Sequence, residues 1–518
     1  MRISFILPLI ALLSACQPRG QADAPAPAAP EEQAAANASA ADNAEPATPW
    51  DVRSSIIRVN STRQTWNPWQ PWEKNPSDRR RALAALIAPM RVVTTAELVA
   101  DASHLEFESA DGSRFTPAKA IVVDYEANLA LLGPASDDDG ATFFEGMAIM
   151  ELAAPPVIGD TLEVLQLEDN GQPILTPGLL QSVTLSSNLL PRHSFLTYLV
   201  KASMRSASSS YTLPVMHGRK LAGVLLSYNS SDQLCDVVST DILTRFIQEA
   251  SNGDYKGLPN LGISVTRAED PLFRQWLGLS GDQGGIYIRS VRPGTAASKA
   301  GVEKGDVLLA VDGQRINRRG FYEHPRYGSL PWGHLIRGGK SAGDNCTLGL
   351  LRKGAEIELQ VTLERESDES HLVPEHMFDR APNYLVKGGL VFQELTRPLL
   401  ESFGEDWRAR APLNLLDAFE NPERYEDSMR RVVFLSGAIP TPATVGYERL
   451  RNLIVRKVND VRIRDMKSLI QAFDDHAGEI HSIEFADENL TIHLDDTVAT
   501  MVDSQLLERG INRLSRAR

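Results

Sequence analysis

The chain of 518 residues has few cysteines, no excess of basic residues and no nucleotide-binding glycine pattern. With 53 basic and 67 acidic residues the net charge is −14, so nucleic acid, which needs a basic face, is not an expected partner. The local run Arg79-Arg80-Arg81 is interpreted as a solvated loop. Neither a P-loop nor a Rossmann pattern occurs, and His371 and His376 lack a zinc-binding spacing, so we expect no cofactor or metal.

The three cysteines are divided between two roles. Cys235 and Cys346 lie in different predicted domains, and both are expected to be buried free thiols. Cys16 instead ends the box Leu13-Ser-Ala-Cys16, which follows an apolar run at residues 3–13. Because this run is shorter than the roughly 20 residues that cross a bilayer, it is typical of a signal peptide rather than a transmembrane helix.

The box resembles the lipobox of bacterial lipoproteins. The resemblance implies that residues 1–15 are a signal peptide and that Cys16 is acylated and anchors the chain to a membrane. Because Gln17 rather than aspartate follows, it also implies an outer-membrane lipoprotein that faces the periplasm. A plain secretory signal with a chance cysteine is the alternative. Residues 16–50 are mostly Ala, Pro and polar residues without an apolar period, which predicts a disordered tether.

Residues 51–255 contain many short β-type segments separated by turn residues. The clearest strands are predicted at residues 54–60, 91–95, 120–124, 129–132, 161–167 and 221–228, with a closing helix at residues 241–250. This number of strands fits two β-barrels of the chymotrypsin type.

Three blocks in this region, RVVTTAELVAD, DYEANLALL and SSSYTLPV, resemble the catalytic blocks of Deg/HtrA serine proteases of the plant type. In that family the corresponding motifs read T-N-A-H-V-V, D-L-A-L-L and G-N-S-G-G-P-V. The positions of the catalytic histidine, aspartate and serine are held here by Glu97, Asn128 and Tyr211. The resemblance therefore implies a protease fold in which the triad is degenerate.

These substitutions remove the chemistry of the triad. A carboxylate such as Glu97 is a weak base near neutral pH, and Tyr211 places a rigid ring where a small nucleophilic hydroxyl is needed. The two glycines that shape the oxyanion hole are replaced by Thr212 and Leu213. We therefore expect a pseudoprotease.

The alternative is a serine endopeptidase of the HtrA type with a rearranged active site. Ser208, Ser209 and Ser210 precede the lost nucleophile, and His104 lies seven residues beyond Glu97. The alignment with the family motif argues against this alternative, because Pro214-Val215 matches the P-V of G-N-S-G-G-P-V and so places Tyr211, not a serine, at the nucleophile position.

Residues 256–366 resemble a PDZ domain, with the segments PGTAASKAGV and KGDVLLAVDG and a last hairpin turned at Lys353-Gly354. The loop Leu261-Gly262-Ile263-Ser264 matches the carboxylate-binding loop, whose backbone N–H groups can receive a peptide's terminal carboxylate. A purely structural PDZ domain is the alternative.

Residues 367–518 resemble the second PDZ-type module of the plant-type family. Here Gly389-Leu390-Val391-Phe392 stands at the carboxylate-loop position, and a helix predicted at residues 465–476 would flank a peptide groove. The resemblance leaves two roles open, peptide capture and assembly.

The predicted fold class is mainly β, a chymotrypsin-like double β-barrel followed by two PDZ-type α+β modules. Three tryptophans of an early loop, Trp66, Trp69 and Trp72, are expected either to cap that loop locally or to contact another subunit. The predicted function is noncatalytic: a Deg/HtrA-like envelope lipoprotein that binds protein C-termini or unfolded envelope proteins as scaffold, chaperone or regulator of protein quality control. The resemblance further implies a homo-oligomer, a trimer.

Overall fold

The computed structural model describes residues 51–205, 211–367, 370–486 and 490–517. These residues belong to one compact unit, Asp51–Arg518. The predicted signal peptide and tether, with Cys16, lie outside the described residues, as do Ser208, Ser209 and Ser210. Across the described ranges, no helix combines the length and the apolar character needed to cross a membrane.

Six strands close the first barrel, in the order β1-β2-β3-β6-β5-β4. They are β1 (Ile56–Arg63), β2 (Asp78–Ala88), β3 (Arg91–Thr94), β4 (Ala102–Ser109), β5 (Phe115–Asp124) and β6 (Leu129–Pro134), accompanied by a 3₁₀ turn (Val52–Ser55) and helices α1 (Ala96–Val99) and α2 (Asp137–Phe143). All six residues of β6 are buried, as expected for a continuous apolar strand inside a closed sheet. Phe107 on β4 fills the centre of the barrel against Phe143.

The second barrel closes in the order β10-β11-β12-β9-β8-β7. Its elements are β7 (Thr161–Leu167), β8 (Pro173–Ser187), β9 (Ser194–Ala202), β10 (Leu213–His217), β11 (Lys220–Asn229), β12 (Leu234–Val238) and helix α3 (Thr240–Ser251). Helix α3 begins after Ser239, whose hydroxyl accepts the Ile242 N–H at 3.4 Å, and it buries Leu243 and Phe246. Cys235 is buried on β12, and burial raises the pKa of its thiol to about 11.

The third domain is a PDZ-type sheet in the order β13-β14-β15-β19-β20, with β16 paired to β15 and β17 paired to β18. Its elements are β13 (Ile263–Arg267), β14 (Ile286–Val291), β15 (Val307–Val311), β16 (Gln314–Arg315), β17 (Phe321–His324), β18 (Gly328–Pro331), β19 (Asn345–Arg352) and β20 (Ala355–Thr362), with helices α4 (Pro271–Trp276), α5 (Ala296–Lys299) and α6 (His334–Arg337). The hairpin turn at Lys353 and Gly354, both at positive φ, lies where the sequence predicts it. Cys346 is a second buried free cysteine.

The C-terminal domain is a longer sheet in the order β27-β26-β24-β23-β22-β21-β28, with β25 paired to β24. Its strands are β21 (Tyr384–Lys387), β22 (Leu390–Glu394), β23 (Val433–Ala438), β24 (Leu453–Val458), β25 (Val461–Arg462), β26 (Ile480–Phe485), β27 (Thr491–Asp495) and β28 (Ser515–Arg516). Its helices are α7 (Arg397–Glu401), α8 (Trp407–Arg410), α9 (Leu413–Glu420), α10 (Met466–Asp474) and α11 (Asp496–Glu508), with 3₁₀ turns at Pro422–Arg424 and Pro442–Thr444. The helix predicted at residues 465–476 is α10, which begins after the capping residue Asp465. The predicted fold class is confirmed.

The loop between β1 and β2 fastens the first barrel to the C-terminal domain. Trp69 packs edge-on against Phe403 at 5.0 Å, and Trp72 lies 6.2 Å from Tyr384. The guanidinium of Arg516 lies 4.3 Å from the Trp66 ring centroid. The three tryptophans therefore contact another domain of the same chain, which neither interpretation of the sequence anticipated.

A buried ionic cluster joins the barrels to the first PDZ-type domain. Glu126, between β5 and β6, accepts hydrogen bonds from His193 at 2.9 Å, Arg337 at 3.0 Å and Arg365 at 3.2 Å. Arg365 also donates to Asp124 at 3.0 Å. Burial would raise the pKa of Glu126, but the hydrogen bond and charge of His193 and the two arginines outweigh it and hold the pKa at about 2.

The same cluster reaches the C-terminal domain. Glu375 faces Arg192 at 3.4 Å and the other ring nitrogen of His193 at 3.7 Å. His193 thus lies between carboxylates of two domains, and the cluster holds all the modules of the unit at one point.

We expect the substitution Glu126→Gln to lower the free energy of unfolding by about 3 kcal/mol at neutral pH, because it leaves buried cations without their counter-charge. The folded-state pKa of Glu126 lies below its ordinary value of 4.5. Its contribution is therefore fully present above about pH 4.5 and is lost as the pH falls toward about 2. Urea unfolding of wild type and variant between about pH 7 and about pH 3 measures this difference. The exposed Glu151→Gln is the control, and a difference that stayed constant over the range would contradict the prediction.

Candidate functional site

Two of the three positions assigned to the triad by resemblance, Glu97 and Tyr211, line one cleft between the barrels, and the third, Asn128, is buried and hydrogen-bonded to Glu97. Glu97 is on α1, Asn128 is in the turn before β6, and Tyr211 precedes β10. The backbone N–H of Glu97 donates to the Asn128 side-chain oxygen at 2.8 Å. Arg80 on β2 donates to the Glu97 carboxylate at 3.1 Å, and its guanidinium carbon lies 6.0 Å from the centroid of the Tyr211 ring. The structure therefore brings these residues together as a salt-bridged cluster.

The chemistry available in this cluster differs from that of a triad. Arg80 neutralises Glu97, and no imidazole stands between the carboxylate and the phenol. Burial raises the pKa of Tyr211 above its ordinary value of 10, opposed in part by the charge of Arg80. The phenol is protonated at neutral pH, so it lacks the activation that a nucleophile requires.

Thr212, the residue after Tyr211, has both its backbone N–H and its hydroxyl in hydrogen bonds within the barrels. Thr212 is fully buried with φ at 54°, and its N–H donates to the Leu225 carbonyl at 2.8 Å. Its hydroxyl shares a hydrogen bond of 2.6 Å with Thr95 of the first barrel. Thr212 therefore ties the two barrels together.

His104, the base required by a rearranged active site, lies exposed on β4 opposite Thr62 of β1. Among the described residues, no hydrogen bond or ion pair joins it to Glu97, Asn128 or Tyr211. The three serines of that alternative lie outside the described residues.

The cleft is a charged space of about 750 Å³ whose wall is largely β2. Arg58 on β1 and Arg81 on β2 both pair with the buried Glu108. The run from Arg79 to Arg81 is therefore part of a strand rather than the solvated loop expected from the sequence. Because side chains alternate along a strand, Arg80 and Arg81 take different partners, Glu97 and Glu108, although both arginines line the cleft. Period-two spacing in the sequence could have predicted the different partners.

The predicted carboxylate loop of the first PDZ-type domain lies beside an open sheet edge. Gly262 has φ at 76°, and a Cβ built on it would lie 2.4 Å from Thr295, so glycine is required there. Leu261 is buried, whereas Ile263 and Ser264 are half-buried on β13, which among the described strands pairs with β14 alone.

The hydrogen-bond register of β13 shows which backbone groups are available. The Arg292 N–H donates to the Gly262 carbonyl at 2.9 Å, and Ile263 stands opposite Val291. In an antiparallel ladder this spacing turns the N–H and C=O of Ile263 away from β14. These groups face the open edge, where an extended peptide can add a strand.

The corresponding loop of the C-terminal domain has no such edge. Gly389 and the buried Leu390, Val391 and Phe392 lead into β22, which pairs with β23 on one side and β21 on the other. Strand β21 in turn pairs with β28. Peptide binding by these four residues therefore stays a prediction, but it cannot be strand addition beside β22, because the chain's own β21 occupies that position.

Comparisons with known proteins agree with this architecture. Residues 259–363 and 373–512 each match a family model described as PDZ domain. Protease Do-like 2, chloroplastic, of Arabidopsis thaliana is 25% identical over 444 residues, which cover 84% of this chain and 70% of that protein. Putative protease Do-like 3, mitochondrial, of the same plant is 24% identical over 428 residues, covering 82% and 72%. The solved structure of the HtrA-type protease AlgW with decapeptide covers 61% of this chain and 97% of its own, with 17% identity and a TM-score of 0.45.

Asn128 has the geometry of a structural residue, and we expect Asn128→Ala to cost about 2–3 kcal/mol of stability. The residue is buried at a φ of 51°, accepts the Glu97 N–H and donates to Asn188 at 2.6 Å. Alanine is strained at this φ and satisfies neither partner. Thermal or urea unfolding measures the loss. Asn188→Ala, which removes only one of the two bonds, should cost about 1 kcal/mol, and equal losses for the two variants would contradict the assignment.

Proposed function

We propose that this chain, a Deg/HtrA-type protein with two PDZ domains, is a noncatalytic member of its family that captures the C-termini or unfolded segments of envelope proteins. One observation carries the proposal: Glu97, Asn128 and Tyr211 stand together at the triad positions, where Arg80 links the carboxylate to the phenol ring. The cluster lacks a general base of the imidazole type and an activated nucleophile.

Each element of the former active site supports the proposal by having a structural partner. Arg80 pairs with both Glu97 and Asp78, and Thr212 bonds across to Thr95. A catalytic group must be able to change protonation and partner during a reaction, whereas these groups are fixed by complementary charges and hydrogen bonds. The cleft therefore stabilises the contact between barrels.

The binding role rests on the first PDZ domain. Its strand β13 is an edge whose Ile263 N–H and C=O point outward, next to a glycine loop of the type that receives carboxylates. The second PDZ domain pairs its equivalent strand internally, which favours a role in assembly. The envelope location is proposed from the box ending at Cys16 alone, and self-association from the family resemblance alone.

The purified unit of residues 51–518 should neither hydrolyse unfolded casein nor react with a fluorophosphonate probe. The physical reason is that a fluorophosphonate labels only a serine activated by a neighbouring base. Release of labelled casein fragments and in-gel probe fluorescence, with trypsin as positive control, are the measurements. Labelling that disappears in Ser208→Ala, Ser209→Ala or Ser210→Ala would instead establish a serine endopeptidase with a rearranged site.

The same unit should bind C-terminal peptides of envelope proteins, and amidation of the peptide terminus should weaken binding about ten-fold or more. A charged hydrogen bond contributes about 1.5–3 kcal/mol, and amidation removes the charge without changing the peptide's length. Calorimetric titration of paired free and amidated peptides measures the difference. Equal affinities within every pair would show that the carboxylate loop is structural.

A further inference from the structure

A cavity of about 430 Å³ opens at the carboxylate-loop end of β13, between the two PDZ domains. Asn260, Gly262 and Arg292 of the first domain line it, together with Arg430 and Arg464 of the second. Arg464 ends the turn that follows β25, and Arg430 precedes β23. The end of the peptide edge thus faces arginines from both domains, which can bind an anionic group, and the same lining holds four acidic side chains, Glu364, Glu366, Glu426 and Asp427.

Polar side chains of the protein itself are hydrogen-bonded to the carboxylate loop at this end of β13. The Gly262 N–H donates to the Asn260 side-chain oxygen at 3.0 Å, and the amide nitrogen of Asn260 donates to Glu366 at 3.3 Å. The Glu366 carboxylate, with 9% of its side chain exposed, is also paired with Arg292 and with His371 at 3.1 Å. An internal carboxylate therefore lies one amide group away from the N–H that a terminal carboxylate would use.

We propose that Glu366 is an internal competitor of the peptide's terminal carboxylate at the first PDZ domain. A bound terminus displaces the Asn260 amide from the Gly262 N–H and takes over Arg292 from Glu366. The inference rests on the proposed peptide capture and adds its regulation: Glu366 keeps Asn260 and Arg292 engaged until an anionic terminus replaces it.

Two observations distinguish Glu366 from Glu364, the other glutamate after β20 that lines the cavity. Glu364 directs its carboxylate to Lys299 at 2.7 Å, whereas its backbone carbonyl accepts the Asn260 N–H at 2.8 Å. Glu366 contacts both Asn260 and Arg292, the two residues that flank Gly262 in the cavity. The connecting segment is therefore bonded to the carboxylate loop through Glu364 and Glu366 together, so that displacing Glu366 couples peptide binding to the junction between the domains.

The test compares wild type with Glu366→Gln in the unit of residues 51–518, using fluorescein-labelled C-terminal peptides of envelope proteins in free and amidated form. Glutamine keeps the shape and can still accept the hydrogen bond of Asn260, but it gives up the charge that holds Arg292. We expect Glu366→Gln to bind free-carboxylate peptides about ten-fold more tightly, which corresponds to the removal of one charged competitor. Its affinity for the amidated peptides should be unchanged. Arg292→Gln should weaken binding of the free form alone.

Glu364→Gln is the matched control, because it removes the same charge from the same cavity without touching Arg292. An equal gain in Glu364→Gln, or an equal gain for amidated peptides, would overturn the inference by showing a general effect of charge or of loosened structure. If wild type binds the free-carboxylate peptides and Glu366→Gln binds them with the same affinity, the inference is overturned and peptide capture is unaffected. Binding by Glu366→Gln without detectable binding by the wild type would support the inference. Absence of binding by both proteins would end the proposed function, and the inference with it.

Discussion

The arrangement of the described modules depends on the buried charge of Glu126. An ion removed from water costs several kcal/mol unless partners surround it, so His193, Arg337 and Arg365 must all be in place before the carboxylate is tolerated. These partners come from the second barrel, from α6 and from the segment after β20. Satisfying one side chain therefore fixes the orientation of the first PDZ domain against the barrels. Because Arg365 is adjacent to Glu366, the same bond also positions the connecting segment beside the carboxylate loop.

The residues at the proposed triad positions take part in packing and pairing between the barrels. An active site must keep unsatisfied or strained groups ready for a substrate, and such groups reduce stability. Here Asn128 retains the left-handed backbone of its turn, but its amide caps α1 at the Glu97 N–H and reaches Asn188 of the second barrel. Thr95 and Thr212 form a second bond between the barrels. Asn128 and Thr212 thereby stabilise the interface between the two barrels.

Local patterns predicted most of the fold because each strand carries its own alternation or apolar run. Residues 129–132 and 161–167 were assigned as strands from such patterns, and the turn at Lys353-Gly354 from its composition. Contacts between distant segments carry no comparable signal. The pairing of β21 with β28 and the contact of Trp69 with Phe403 join segments more than a hundred residues apart in the chain, so neither could be anticipated. Arg80 combines a local pattern with a distant contact. The alternation of side chains around it can be predicted from the sequence, but its ion pair with Glu97 depends on the folded barrel.

The two PDZ domains differ in whether the strand after the glycine loop is an open edge or is paired on both sides. An exposed strand edge offers unpaired N–H and C=O groups, which bind peptides but also promote unwanted association. The C-terminal domain pairs β22 with β21, and β21 with β28, so strands of its own chain cover that side of the sheet. The first domain keeps β13 open along its length and blocks only the end, where Asn260 and Glu366 occupy the anion-binding groups. In the proposed mechanism, Asn260 and Glu366 block one end of the edge reversibly. A peptide that lacks a terminal carboxylate cannot open this end, because displacing Glu366 would leave Arg292 without a counter-charge. Selectivity for chain ends then follows from competition, and it requires no additional contact with the peptide's sequence.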